Sequence, residues 1–321
     1  MQPALLPRPT TRPAPARHTG GIMLGETLLM AFREVRRNAL RSFLTMLGVV
    51  IGVGAVIVLV TLGQGASAKV KSDISKLGEN LLIVSTGNFR RGPSSTAAHP
   101  FQRADADAIS QQVNGLAGIA PSAGRQMPVV YGNKNWRTTV TGTTDQFFSV
   151  RGYGVASGRA FTSSEATSAR PVCLVGQTVR NELFGSQDPV GAVVRLGRVS
   201  CEVIGTLVPK GEASFGQDQD DLVLMPLVAF QRRISGTNDI NNIYVSAAPG
   251  RPTSLVGSQI EALLRERRHL APGEDNDFMV RDMAEIAATM ASTTGALAAL
   301  LGAIAGVSLL VGGIGIMNIM L

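Results

Sequence analysis

The chain has 321 residues, 45% of them apolar, and carries a net charge of +7. Charge placement removes the nucleic-acid reading that a basic balance invites. Residues 1–41 hold seven Arg against Glu26 and Glu34, whereas residues 69–285 hold 23 Lys or Arg against 21 acids, so most of the excess precedes the first apolar stretch.

Taken in chain order, residues 1–21 are rich in Pro, Arg, Thr and Ala without apolar periodicity, which predicts a disordered cytoplasmic tail. Residues 22–41 predict an amphipathic interfacial helix, with Leu28, Leu29, Phe32 and Val35 on one side and Arg33, Arg36 and Arg37 on the other. Residues 42–68 carry no charge and predict a transmembrane helix with the start of a stalk, since about 20 apolar residues cross a bilayer. A cleavable signal is the rival, with Ala66-Ser67-Ala68 as its cleavage site. Its apolar core would be shorter and nearer the start. Arg33, Arg36, Arg37 and Arg41 keep the N-terminus cytoplasmic, so the segment that follows is expected outside.

Residues 69–285 predict that exported domain. Helix is expected at Val70–Leu77, Ala104–Val113, Gln177–Phe184 and from Pro252 to Arg268. Strands are expected at Asn80–Thr86, Gln126–Tyr131, Trp136–Thr141, Pro171–Val175, Ala192–Leu196, Val199–Leu207, Asp221–Met225, Asn241–Ser246 and Phe278–Met283. The mixture argues for an α+β or α/β module, not a helical bundle. Cys173 and Cys201 leave two readings open, a disulfide in an oxidising compartment or two buried thiols. Residues 286–321, again uncharged, predict a stalk (Ile286–Gly295) and a second span (Leu297–Leu321). No Lys or Arg follows, so the chain reads as cut short.

Constellations for catalysis are missing. There is no Gly-Lys dipeptide and hence no P-loop, no H-E-x-x-H, no C-x-x-C and no G-x-S-x-G. The acidic run Gln217–Asp221 lacks the glycine and distal glutamate of a calcium loop and reads as a polar turn. Gly48 with Gly52, and Gly302 with Gly306, form two G-x-x-x-G spacings that allow close packing of spans.

Several runs together resemble MacB-type ABC transporter permeases. They are Phe32 to Ala55; Leu77-Gly-Glu-Asn-Leu-Leu-Ile-Val; Val175-Gly-Gln-Thr-Val with Asn181-Glu-Leu-Phe-Gly; Asp188-Pro-Val-Gly; and Val203-Ile-Gly-Thr-Leu. Phe215-Gly-Gln-Asp-Gln-Asp-Asp with Pro226, and Gly312-Gly-Ile-Gly-Ile-Met, complete the set. The resemblance implies an α+β membrane protein: transmembrane helices flanking a mixed α/β, two-lobed periplasmic domain in the bacterial inner membrane. It implies a homodimer driven by a separate ABC ATPase subunit, which would hold the ATP and Mg, with a periplasmic adaptor and an outer-membrane duct as further partners. The chain itself is expected to be no enzyme. Permeases that release lipoproteins or regulate the cell wall, and a two-span sensor, are the alternatives.

Overall fold

The computed structural model describes residues 29–30, 32–33, 36–37, 39–77, 80–87, 99–212 and 218–320. The tail at 1–21 and most of the interfacial helix lie outside these residues. Its described part is helical, with Arg33, Arg36 and Arg37 exposed.

The first element, α1 (Ala39–Leu77), leads into β1 (Leu81–Thr86). Helix α2 (Arg103–Gln112), β2 (Leu116–Tyr131) and β3 (Lys134–Thr143) follow. A short α3 (Phe147–Val150), β4 (Val155–Gly158), α4 (Ser163–Ser168), β5 (Val172–Val175) and α5 (Gln177–Leu183) come next. Then come β6 (Val193–Leu196), β7 (Val199–Leu207), β8 (Leu222–Pro226) and α6 (Leu227–Phe230), which runs into a π-helical turn at Gln231–Ser235. The last elements are β9 (Asn242–Ala247), α7 (Thr253–Arg267), β10 (Phe278–Asp282) and α8 (Met283–Met320).

Among the described residues ten strands join one mixed sheet, in the order β10-β1-β9-β2-β3-β8-β5-β7-β4, with β6 bridging β2 and β7. The pairs β3–β8 and β5–β7 are parallel. The mixed α/β content matches expectation. Leu62–Leu297 form one compact unit that holds this sheet. The outer ends of the two long helices form the other unit.

Alternation along β1 sends Leu82 and Val84 to one face and Leu81 and Ile83 to the other. Two cores result. The first packs Leu82, Val129, Val140 and Val245 under Ile109 of α2, Val179 of α5, Phe230 of α6 and Ile260 of α7. The second packs Leu81, Ala120, Phe147, Tyr153, Phe161, Leu174, Leu207 and Leu224.

Expected and observed strands differ most at β2, which begins at Leu116, ten residues before the expected start. Six of its first eight residues are Gly, Ala, Pro or Ser, poor strand formers by composition. Small residues are needed there: a Cβ on Gly118 would stand 2.9 Å from Val150 Cγ2, and Ala120 and Ala123 are buried. The short elements β4, α3, α4 and α6 were also unread, each too brief to show a period.

Candidate functional site: the junction at the base of the exported domain

Two long helices flank the sheet domain, and α8 continues directly from its neighbouring strand. Helix α1 ends three residues before β1, while α8 starts on the residue after β10. Those strands pair antiparallel, with Leu82 opposite Asp282. The Asp282 carboxylate accepts hydrogen bonds from the backbone N–H groups of Ala284 (2.9 Å) and Glu285 (3.4 Å), so it caps α8 at the point where the strand becomes helix. No residue separates β10 from α8. On the first core's side α7 lies close on β1, where a Cβ on Gly257 would meet Leu82 Cδ2 at 3.2 Å. On the other side Met283, the first residue of α8, packs against the second core together with Ile83 and Tyr244.

That second core carries the contact onward through aromatic rings and cations. Phe147 meets Tyr244 of β9 edge-on at 5.5 Å and stacks on Tyr153 at 5.7 Å. The Arg151 guanidinium lies 4.7 Å from the Tyr244 ring centroid and 5.9 Å from that of Tyr153. Lys210, beyond the end of β7, places its Nζ 4.3 Å from the Tyr153 ring and donates to the Arg151 carbonyl at 2.6 Å.

The segment before β8 is fastened to the same place. Tyr153 donates its hydroxyl to the Gln219 carbonyl (3.0 Å), and the Asp220 carboxylate accepts from the backbone N–H groups of Lys210 and Gly211, both at 2.9 Å. Thr178 donates to Asp218 at 2.6 Å. The described part of the acidic run is thus a polar turn, with its carboxylates occupied by the protein's own donors. Burial pushes the Tyr153 hydroxyl up from its ordinary range. Burial first, and the Arg151 charge second, lower the Lys210 amine to about 8, with Asp220 opposing.

A cleft of about 410 Å³ opens elsewhere, lined by His99, Asp105, Arg267, Arg268, Glu274 and Asp277. Its arginines are committed: Arg267 pairs with Asp105 at 3.0 Å and Arg268 with Asp277. Among the described residues no group of three or more His, Cys, Asp or Glu is placed to hold a metal.

The residues singled out from the sequence fall elsewhere. Gly48, Gly52 and Arg41 lie in α1, and Gly302 and Gly306 in α8. A Cβ on Gly302 or Gly306 would meet nothing within 4 Å. Cys173 and Cys201 are buried free thiols on the neighbouring strands β5 and β7. Sequence reasoning missed Arg151, Tyr153, Lys210 and Tyr244. No local signal marks them, since β9 and the segment between β7 and β8 reach them only through the fold. Among the described residues one segment, Met283–Ile304, is long and apolar enough to cross a membrane, and Val50–Ala66 is a shorter apolar helix.

Comparison with known proteins places this architecture. The family described as MacB-like periplasmic core domain matches residues 42–263. The chain is 34% identical to a macrolide export ATP-binding/permease protein MacB of Syntrophobacter fumaroxidans, over 92% of this chain and 49% of that protein. It is 36% identical to the protein of the same name in Azoarcus sp., over 98% and 47%. The chain therefore spans about half the length of the curated relatives it matches. In fold it is similar to the periplasmic region of MacB from Actinobacillus actinomycetemcomitans, with a TM-score of 0.57 at 21% identity over 68% of this chain and 95% of that one. It is also similar to the extracellular domain of the noncanonic ABC-type transporter YknZ from Gram-positive bacteria, with a TM-score of 0.51 at 21% identity over 63% and 100%.

Proposed function

This chain belongs to the MacB-like ABC permease family, and on that footing we propose that it carries ATP-driven motion across the inner membrane to its exported domain. The observation that carries the reading is the joint between membrane helices and sheet. Strand β10 becomes α8 at a capped residue, β1 pairs with β10, and Met283 packs into the core that holds Arg151 and Tyr153. A capped helix without a flexible linker passes displacement into a sheet.

The apolar side chains along both long helices support a lipid setting. Phe43, Met46, Val50, Ile57 and Leu62 of α1, and Leu300, Ile304, Leu310 and Ile314 of α8, are exposed. In this reading the chain is a multi-pass inner-membrane subunit with its N-terminus cytoplasmic, held there by Arg33, Arg36, Arg37 and Arg41. Gly48, Gly52, Gly302 and Gly306 supply span-packing surfaces to other helices, in this chain or in a second copy of a homodimer. ATP and Mg belong to a separate ABC ATPase subunit, and an adaptor and an outer-membrane duct complete an efflux route. The relatives bear export names, which favours this route over a sensor or a lipoprotein-releasing role.

The test is reconstitution in lipid with and without a candidate Walker-motif ATPase. Hydrolysis should require that subunit and should change when this chain is present. Hydrolysis by this chain alone, or an ATPase rate indifferent to it, would overturn the proposal.

A further inference from the structure

Strands β3, β2, β6 and β7 lie side by side in one section of the sheet. One face of this section is packed: Val129, Val194, Leu196 and Cys201 join the first core with Val179 and Leu183 of α5. On the other face Val130 pairs with Arg195 across β2 and β6. Two positions along the strands, Arg137 stands opposite Pro128 and Val193 opposite Glu202. The two-residue period of a strand puts all six on the same side. Val130 is half-buried and the other five are exposed, Val193 at 58%. Neither core takes in Pro128, Val130 or Val193. Among the described residues Arg137 and Arg195 make no ion pair, while Arg170 reaches Glu202 at 4.0 Å with both side chains exposed. An apolar strip with three arginines and a single acid around it has the make-up of a contact surface, not of an ordinary wet face.

We infer that this face docks an acidic segment of a different protein, its carboxylates on Arg137 and Arg195 and an apolar side chain over Val130 and Val193. Guanidinium groups offer paired N–H donors in the geometry that carboxylates accept. A second copy of this chain does not suit the face, because a two-fold contact sets the same net-positive patch against itself. A lipid surface does not suit it either. Leu81 and Gly118 both pair with Ser246, so they share the level of the junction with the long helices. Val130 lies a further 12 residues along β2, about 40 Å away at the strand rise. The surface is remote from the junction, and the inference holds or fails apart from the transport reading.

The experiment places photoreactive p-benzoylphenylalanine at Val193 of the full chain in cells of the source organism. Adducts are mapped by mass spectrometry of the cross-linked peptides. We expect an adduct to one segment of a different protein, with Asp or Glu beside the cross-linked residue. The same photoreactive residue at Leu255, exposed on α7, should not capture that segment. R137E with R195E should lower the adduct about tenfold or more, because like charges then face each other. Exchanging the partner's acid for Lys should restore it. Both arginines are exposed, so the thermal midpoint of the double variant should match that of the native chain. The milder R137Q with R195Q should also lower the adduct. No adduct at Val193, an adduct to lipid or to a second copy of this chain, or a yield indifferent to the charge reversal would overturn the inference.

Discussion

Glu165 is the best-defended carboxylate in the exported domain. Arg159 donates to both of its oxygens, at 2.7 and 2.8 Å, and the Thr162 backbone N–H donates at 3.0 Å, closing a capping box at the start of α4. The Arg159 hydrogen bonds, more than any other contact, hold its pKa at about 2, against an ordinary value near 4.3. A depressed carboxylate stabilises the fold above its unfolded pKa and loses that contribution as pH falls through the folded value. Native protein should therefore lose stability between about pH 4.5 and pH 2, and E165A should lose about 2 kcal/mol at neutral pH and little at pH 2. Thermal unfolding of both forms across that range checks it. The two cysteines belong to the same scale. Cys173 lies opposite Val203, so Cys201 is two residues off along β7. Both are buried free thiols, and the Cys201 thiol lies within hydrogen-bonding reach of Cys173. Burial raises the Cys173 thiol, which donates weakly to the Glu202 carbonyl. Denatured, unreduced protein should accept two thiol labels per chain; one or none would mean oxidation.

Glycines at close approaches decide how elements lie against each other. A Cβ on Gly176, at the start of α5, would sit 2.1 Å from the Asp220 carbonyl oxygen, a backbone atom that cannot swing away. That glycine fixes the segment carrying Gln219 and Asp220 against α5. A Cβ on Gly142 of β3 would sit 2.4 Å from Phe230 Cβ on α6. G176A and G142A should each lower stability by about 1–3 kcal/mol, measured by denaturant midpoint. An unchanged midpoint in G176A would mean that this segment is not pinned there. Most strands were legible because alternating β-branched residues mark them, as in β7 and β9. The first half of β2 was not, because close packing against Val150 selects small residues over strand formers.

For the whole molecule, the charge asymmetry and the two apolar helices make one topological statement. Alkaline phosphatase fused after Val150 should be active on intact cells, and fused after Met30 it should be inactive. The reverse pattern would place Arg151 and Lys210 in the cytoplasm and remove the exported-domain reading. Helix α8 continues the edge strand of the sheet, so in the proposed transport reading the sheet as a whole would receive any displacement of α8.

Sequence alone determined what depends on local pattern: two uncharged stretches, a mixed module between them, the lack of a nucleotide loop, and the family resemblance that the comparisons support. Periodicity and charge act over a few residues, so they can be read along the chain. The junction that joins α8 to Tyr244, Arg151 and Lys210 was decided only by the tertiary structure. Its members come from strands and segments far apart in sequence, and only sheet order and side-chain packing bring their rings and charges within 6 Å.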